Sequence, residues 1–240
     1  MRLGRWLLPL ALLAFVSPLW AGGFEDSMAQ RMHACTGCHG ENGRAEGNVY
    51  FPRIAGKPSG YLYNQLRNFR DGRRNYVLMT GMVAFLSDSY LQEIATHFSA
   101  LDLPYPPPAP MTLTAAQQTQ ARTLVQQGDA GRQIAACTQC HGPALTGFAP
   151  HVPGLLGLPR DYINAQLGAW KTGQRHARAP DCMADVAKAL STDEVALISS
   201  WLASQALPRD THAVTRLPAP TVATKRPVCG SASELAQGRP

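Results

Sequence analysis

The chain carries Cys35-Thr36-Gly37-Cys38-His39-Gly40 and, 102 residues later, Cys137-Thr138-Gln139-Cys140-His141-Gly142. Two thiols three residues apart on a helical turn can reach the two vinyl groups along one porphyrin edge. The histidine that follows then lies under the ring with a nitrogen aimed at iron. Cys-x-x-Cys-His is accordingly the attachment pattern of covalent c-type haem. A dithiol redox motif is the competing reading, but it belongs in a βαβ setting. Zinc is another, but it wants four ligands and a second Cys or His pair nearby. Two copies of the motif in one chain favour haem, with Cys35, Cys38, Cys137 and Cys140 as thioether positions and His39 and His141 as iron ligands.

The offset continues beyond the motifs. Pro52-Arg53-Ile54-Ala55-Gly56 is answered by Pro153-Gly154-Leu155-Leu156-Gly157. Tyr61, Gln65 and Leu66 are answered by Tyr162, Gln166 and Leu167, and Gly72 by Gly173. Met79 is answered by Met183, Leu86-Ser87 by Leu190-Ser191, and Leu103-Pro104 by Leu207-Pro208. A repeat of this length with its own motif in each copy implies two similar domains rather than a solenoid.

The repeat also selects the sixth ligand. An iron already bound by histidine takes a thioether or imidazole opposite. Met79 and Met183 each stand seven residues before a Leu-Ser pair, whereas Met82 aligns with Val186, which cannot bind iron. Met79 and Met183 are therefore the predicted ligands, and Met82, Met28 and Met32 are read as core filler. Rivals in the second copy are His151, His176 and Cys182. His33 and His97 are read as surface or packing residues. Iron saturated by His and Met has no open position for oxygen or peroxide, which suits a carrier. The competing function is a di-haem enzyme of peroxidase or thiosulfate-oxidising type, with an open or Cys182-ligated second haem.

Residues 6–20 form an apolar run behind Arg2 and Arg5, and Ala21-Gly22-Gly23 offers a cleavage site. That is the layout of an export signal, and the run is short for a membrane span. Residues 1–23 hold two arginines and no acid, so cleavage lowers the formal charge from +6 to +4. The expected location is the periplasm, with a membrane tether if the segment stays attached. The basic residues are scattered rather than run together, which argues against nucleic acid. Arg53, Arg67, Arg70, Arg73 and Arg74 are mostly read as a solvated face; the sharper reading has some of them pairing with haem propionates or steering an acidic partner.

The expected fold is all-α, with a signal at 1–23, one domain over 24–103, a Pro-rich linker over 104–112, a second domain over 113–208 and a Pro-rich tail over 209–240. Helices are predicted before each motif (25–34 and 131–136), in the middle of each copy (60–70 and 161–171), and after the N-caps Ser87 and Ser191. Ser191 with Glu194 makes a capping box. No alternating strand pattern stands out. The run Pro104-Tyr105-Pro106-Pro107-Pro108-Ala109-Pro110 favours an extended, semi-rigid spacer. The tail is expected to be poorly ordered except around Cys229. In an oxidising compartment Cys182 and Cys229 most simply pair, tying the tail over the Met183 loop; independent free thiols are the alternative.

Taken together, the two Cys-His-Gly motifs, Gly128-Asp129, Cys140-His141-Gly142-Pro143, Pro52-Arg53-Ile54-Ala55-Gly56, Tyr61 with Gln65-Leu66, Arg74-Asn75 and the two Leu-Ser pairs resemble di-haem class I cytochromes of the cytochrome c4 type over roughly residues 25–208. The resemblance implies two cytochrome c folds whose two covalent haem c groups face each other across the domain interface. It also implies a periplasmic electron carrier with a redox-protein donor on the quinol or dehydrogenase side and an acceptor such as a membrane-bound terminal oxidase. Two features depart from that pattern: the chain runs on past Pro208 to Pro240, and Cys182 stands beside Met183.

Overall fold

The structure, a computed structural model, describes residues 25–45, 51–219 and 226–239. The signal segment predicted at 1–23 lies outside the described residues. The element order is helical in both copies, and the described residues contain one two-stranded sheet.

In the first copy α1 (Met28–Arg31) leads into α2 (His33–His39), which carries the first Cys-x-x-Cys-His motif. The middle helix α3 is Ser59–Arg70, α4 is Val77–Val83 and α5 is Asp88–Ser99. In the second copy the matching series is α6 (Ala115–Gln126), α7 (Cys137–His141), α8 (Arg160–Lys171), α9 (Cys182–Ala189) and α10 (Thr192–Ala203). The short strands β1 (Gly147–Phe148) and β2 (Val152–Pro153) pair antiparallel beyond α7.

The middle helices match the sequence expectation to one residue at their starts. Their ends are set by chemistry the repeat preserves. Gly72 and Gly173 sit two residues past α3 and α8 at φ +75° and +74°, the left-handed conformation that terminates a helix at low cost for glycine. The last helices start where the caps say. The Ser87 hydroxyl accepts from the Tyr90 amide, and Ser191 and Glu194 form the full capping box.

One predicted helix is misplaced. Residues 131–136 are not α-helical; a single 3-10 turn, Ala130–Arg132, precedes an extended approach to Cys137. The helix lies earlier, as α6, behind a capping box of Thr114 and Gln117. Gly128 ends it, and a Cβ there would lie 2.2 Å from the Ile134 carbonyl oxygen. The 128–134 turn is thus too tight for the helix to run on into the motif.

Two apolar cores follow from these helices. Leu91, Ile94 and Phe98 of α5 bury against Leu62 and Phe69 of α3 and Met32. Val195, Ile198 and Leu202 of α10 bury against Ile163, Leu167 and Trp170 of α8 and Leu124 of α6. In each copy the last helix packs on both the leading and the middle helix.

The Pro-rich connection is fastened rather than free. Arg53, only 4% exposed, donates to the Pro104 carbonyl (2.9 Å) and stacks 3.9 Å from the centre of the Tyr105 ring. This corrects its reading as part of a solvated face. The Ala109 amide donates to the Ala203 carbonyl at the end of α10. The tail packs around Cys229, the part excepted from the expected disorder, and Leu217 joins it: Leu217, Cys229, Ala232 and Leu235 bury with Phe148 and Val152 in a third cluster.

Candidate haem sites

The two motif histidines are held alike. His39 Nδ1 lies 2.8 Å from the Pro52 carbonyl oxygen, and His141 Nδ1 lies 2.7 Å from that of Pro153. A carbonyl only accepts, so Nδ1 carries the proton and Nε2 keeps its lone pair for a metal. Such a bond to the non-ligating nitrogen is the usual device for orienting a metal-binding imidazole. Both histidines are buried, and burial pushes their pKa values down, which favours the neutral ring.

Cys35, Cys137 and Cys140 lie in settings that disfavour a thiolate. Burial pushes Cys137 up to about 12 and raises Cys35 and Cys140. A dithiol that exchanges with other disulfides works through an easily formed thiolate, the reverse of this setting.

Met79, on α4, packs against the first core together with Cys35. Met183, on α9, packs against the second together with Cys137. Met82 is 50% exposed, which corrects its placement in the core. Met32 is fully packed at 2% exposure, and Met28 lies against the same core. The rivals named for the second copy lie in three different settings. His151 Nδ1 contacts Glu234 at 2.9 Å, His176 is exposed, and Cys182 is bonded to Cys229. The disulfide removes the thiolate that a Cys-ligated second iron would need.

Between the two copies lies an arrangement of near two-fold symmetry. After the glycine turns, Arg74 and Arg175 face each other across an antiparallel bridge. The Gln65 side-chain oxygen accepts from Arg74 Nη1 (3.1 Å) and Arg175 Nη2 (2.9 Å). The Gln166 oxygen accepts from Arg74 Nη2 and Arg175 Nη1, both at 2.7 Å. Arg74 stacks on Phe69 at 4.5 Å and Arg175 on Trp170 at 3.8 Å.

Neither guanidinium has a carboxylate partner among the described residues. Arg175 is 4% exposed, and burial, with Arg74 beside it, pushes its pKa down to about 10. Trp170 Nε1 is buried with no hydrogen-bond partner. One buried and one half-buried guanidinium and an orphaned donor beside the two cores suit a group that brings carboxylates, as a porphyrin does with its propionates. The Arg74 charge is felt at His39, which ties this centre to the first motif. The residues present therefore fit haem.

Sequence reading found Gln65, Gln166, Tyr61 and Tyr162 as a repeat but missed Arg175 and the Trp170 donor. The signal was there: Arg175 follows Arg74, and Trp170 follows Phe69, at an offset of 101.

A curated relative named thiosulfate dehydrogenase electron acceptor, from Thiomonas intermedia, is 38% identical over 72% of this chain and 79% of its own length. Cytochrome c4 of Pseudomonas aeruginosa is 31% identical over 76% of this chain and 89% of its own. The chain belongs to the di-haem cytochrome c4 family. No family model matches the sequence. Among solved structures, reduced cytochrome c4 from Pseudomonas stutzeri superposes with a TM-score of 0.63 at 29% identity, over 73% of this chain and 95% of that one. A thiosulfate dehydrogenase chain from Marichromatium purpuratum superposes with a TM-score of 0.65 at 32% identity, over 73% of this chain but 37% of that longer one. As a cytochrome c4 relative the chain is an all-α electron carrier with two covalent haem c groups. No described helix is long and apolar enough to cross a membrane.

Proposed function

We propose that this cytochrome is a periplasmic one-electron carrier in which each repeat unit holds one His/Met haem. The units are residues 24–103 and 113–208, joined by the 104–112 connection. Cys35 and Cys38 form the thioethers of the first haem, with His39 and Met79 as axial ligands. Cys137 and Cys140 attach the second, with His141 and Met183. The observation that carries this reading is the matched pair of Nδ1 bonds to Pro52 and Pro153, which leaves both Nε2 atoms unprotonated and held in place. The haem supplies reversible one-electron iron chemistry. The protein fixes the imidazoles, offers a thioether that favours ferrous iron, and balances porphyrin carboxylates with Arg74, Arg175 and the Trp170 indole.

The reading extends to partners. The names of two relatives, at 38% and 35% identity, support a thiosulfate dehydrogenase as electron donor. A membrane-bound terminal oxidase is the matching acceptor. Electrons pass through the chain without chemistry on a substrate, so it is not itself an enzyme, and residues 1–23 direct it to the periplasm.

The weak red-edge band of methionine sulfur on ferric haem tests the ligand set. The oxidised protein should show the intensity of two sites, and Met79→Ala and Met183→Ala should each remove half. A wild-type band of half intensity, indifferent to Met183→Ala, would overturn the assignment of the second haem. Stopped-flow mixing with a reduced thiosulfate dehydrogenase tests the donor, and failure of both haems to reduce would remove it.

A further inference from the structure

The 226–239 segment is fastened to several parts of the molecule. Cys229 is bonded to Cys182 at the start of α9, next to Met183. Arg226, 6% exposed, donates from Nε to the carbonyl of Gln139, which lies between the two motif cysteines (3.1 Å). Glu234 contacts His151 in the β1–β2 turn. The Ser231 carbonyl accepts from Asn64 Nδ2 on α3 of the other unit (3.1 Å). The fit is close: a Cβ at Gly230 would lie 2.1 Å from the Ala179 carbonyl oxygen. The apolar cluster built by Leu217, Cys229, Ala232 and Leu235 takes in Cys140 itself.

The first unit is arranged differently. Cys38, the counterpart of Cys140, is exposed. Val77 and Phe85, in and just beyond α4, are 78% and 99% exposed, whereas the start of α9 is tied to the tail.

We propose that the 226–239 segment is a cover over the attachment edge of the second haem, which leaves the first haem as the point of electron exchange with outside redox proteins. This rests on Cys140 being a haem-attachment residue. Tunnelling rates fall steeply with distance, so a layer of chain on one edge, with none among the described residues on the other, decides where a partner can work. Leu235, at 3% exposure, secures the layer by burial, and the disulfide keeps it from being lost when it opens.

The test uses the haem-loaded, oxidised protein and a neutral gadolinium chelate. Line broadening of the shifted haem methyl resonances reports which edge solvent reaches. Methyls of the first haem should broaden several-fold more than those of the second. In the full-length Leu235→Asp variant, and in a chain ending at Pro208 that also carries Cys182→Ser, second-haem methyls should broaden to the level of the first. Oxidation of the reduced protein by an inorganic cobalt(III) complex should then speed up several-fold. Equal broadening of both haems in the wild type would overturn the proposal, as would no change once limited proteolysis shows the tail released. The attachment reading fails separately: the mass of a Cys137→Ala/Cys140→Ala variant would still show two covalent haems.

Discussion

The two repeat units share a plan and differ in their finish. Both hold a histidine from a proline carbonyl, stack an arginine on an aromatic ring and end the middle helix at a glycine. The second unit adds to each theme. Its aromatic ring is Trp170, with an N–H, where the first has Phe69. Its last helix has Glu194 in a capping box and paired to Arg132 (2.6 Å), where the first has Tyr90 at the same place. A covalently tied tail covers it, while the first unit leaves Cys38 open. A duplicated fold can thus keep its cofactor chemistry and let the surroundings of one copy diverge.

The shared centre should show the largest effect. Each glutamine oxygen serves both arginines, so Gln65→Leu or Gln166→Leu removes one partly buried acceptor from each of them. Each should cost about 1–3 kcal/mol in urea unfolding, and the double variant less than the sum of the singles. A clear inequality between the singles would break the symmetry.

Glu194 sharpens the difference between the last helices. Arg132, with help from the Ser191 amide, holds the Glu194 carboxyl below its usual 4.5. A carboxyl depressed on folding contributes stability that is complete above the unfolded value and lost as pH falls through the folded one. Glu194→Gln should therefore destabilise the protein by about 1 kcal/mol near neutral pH and by nothing once both carboxyl forms are protonated. A loss that persists well below pH 4.5 would mean the side chain acts by packing alone.

Trp170→Phe makes the second unit resemble the first. With the donor gone, the haem-loaded protein should lose roughly 1 kcal/mol, and the second haem's potential should shift while the first stays put. Redox titration resolves the two, and an equal shift of both would place the indole's effect elsewhere. The smallest effect belongs to Met82→Ala. At 50% exposure it should leave the methionine–iron band untouched and stability within about 0.5 kcal/mol.

Much of this was legible in the order of residues. A motif that must place two thiols and an imidazole on one turn has little freedom in spacing. Helix ends are likewise local, set by Ser87, Ser191, Gly72 and Gly173 through hydrogen bonds a few residues long. Pairing of Cys182 with Cys229 followed from counting thiols, because four of the six belong to the motifs. What lay hidden depends on contacts far apart in the chain. Arg53 reads as a surface cation until the 104–105 connection closes over it, and Met82 reads as filler until α4 turns it outward. The tail looks too polar and too rich in proline to fold, and alone it buries little. Its apolar side chains bury against Phe148, Val152 and Cys140 of the second unit, contacts far apart in the chain. The sequence by itself determined the two haem-binding units, because covalent attachment and helix capping are short-range. Only tertiary structure decided that two arginines meet without an acid and that one attachment edge is covered, because charge burial and solvent access belong to the assembled molecule.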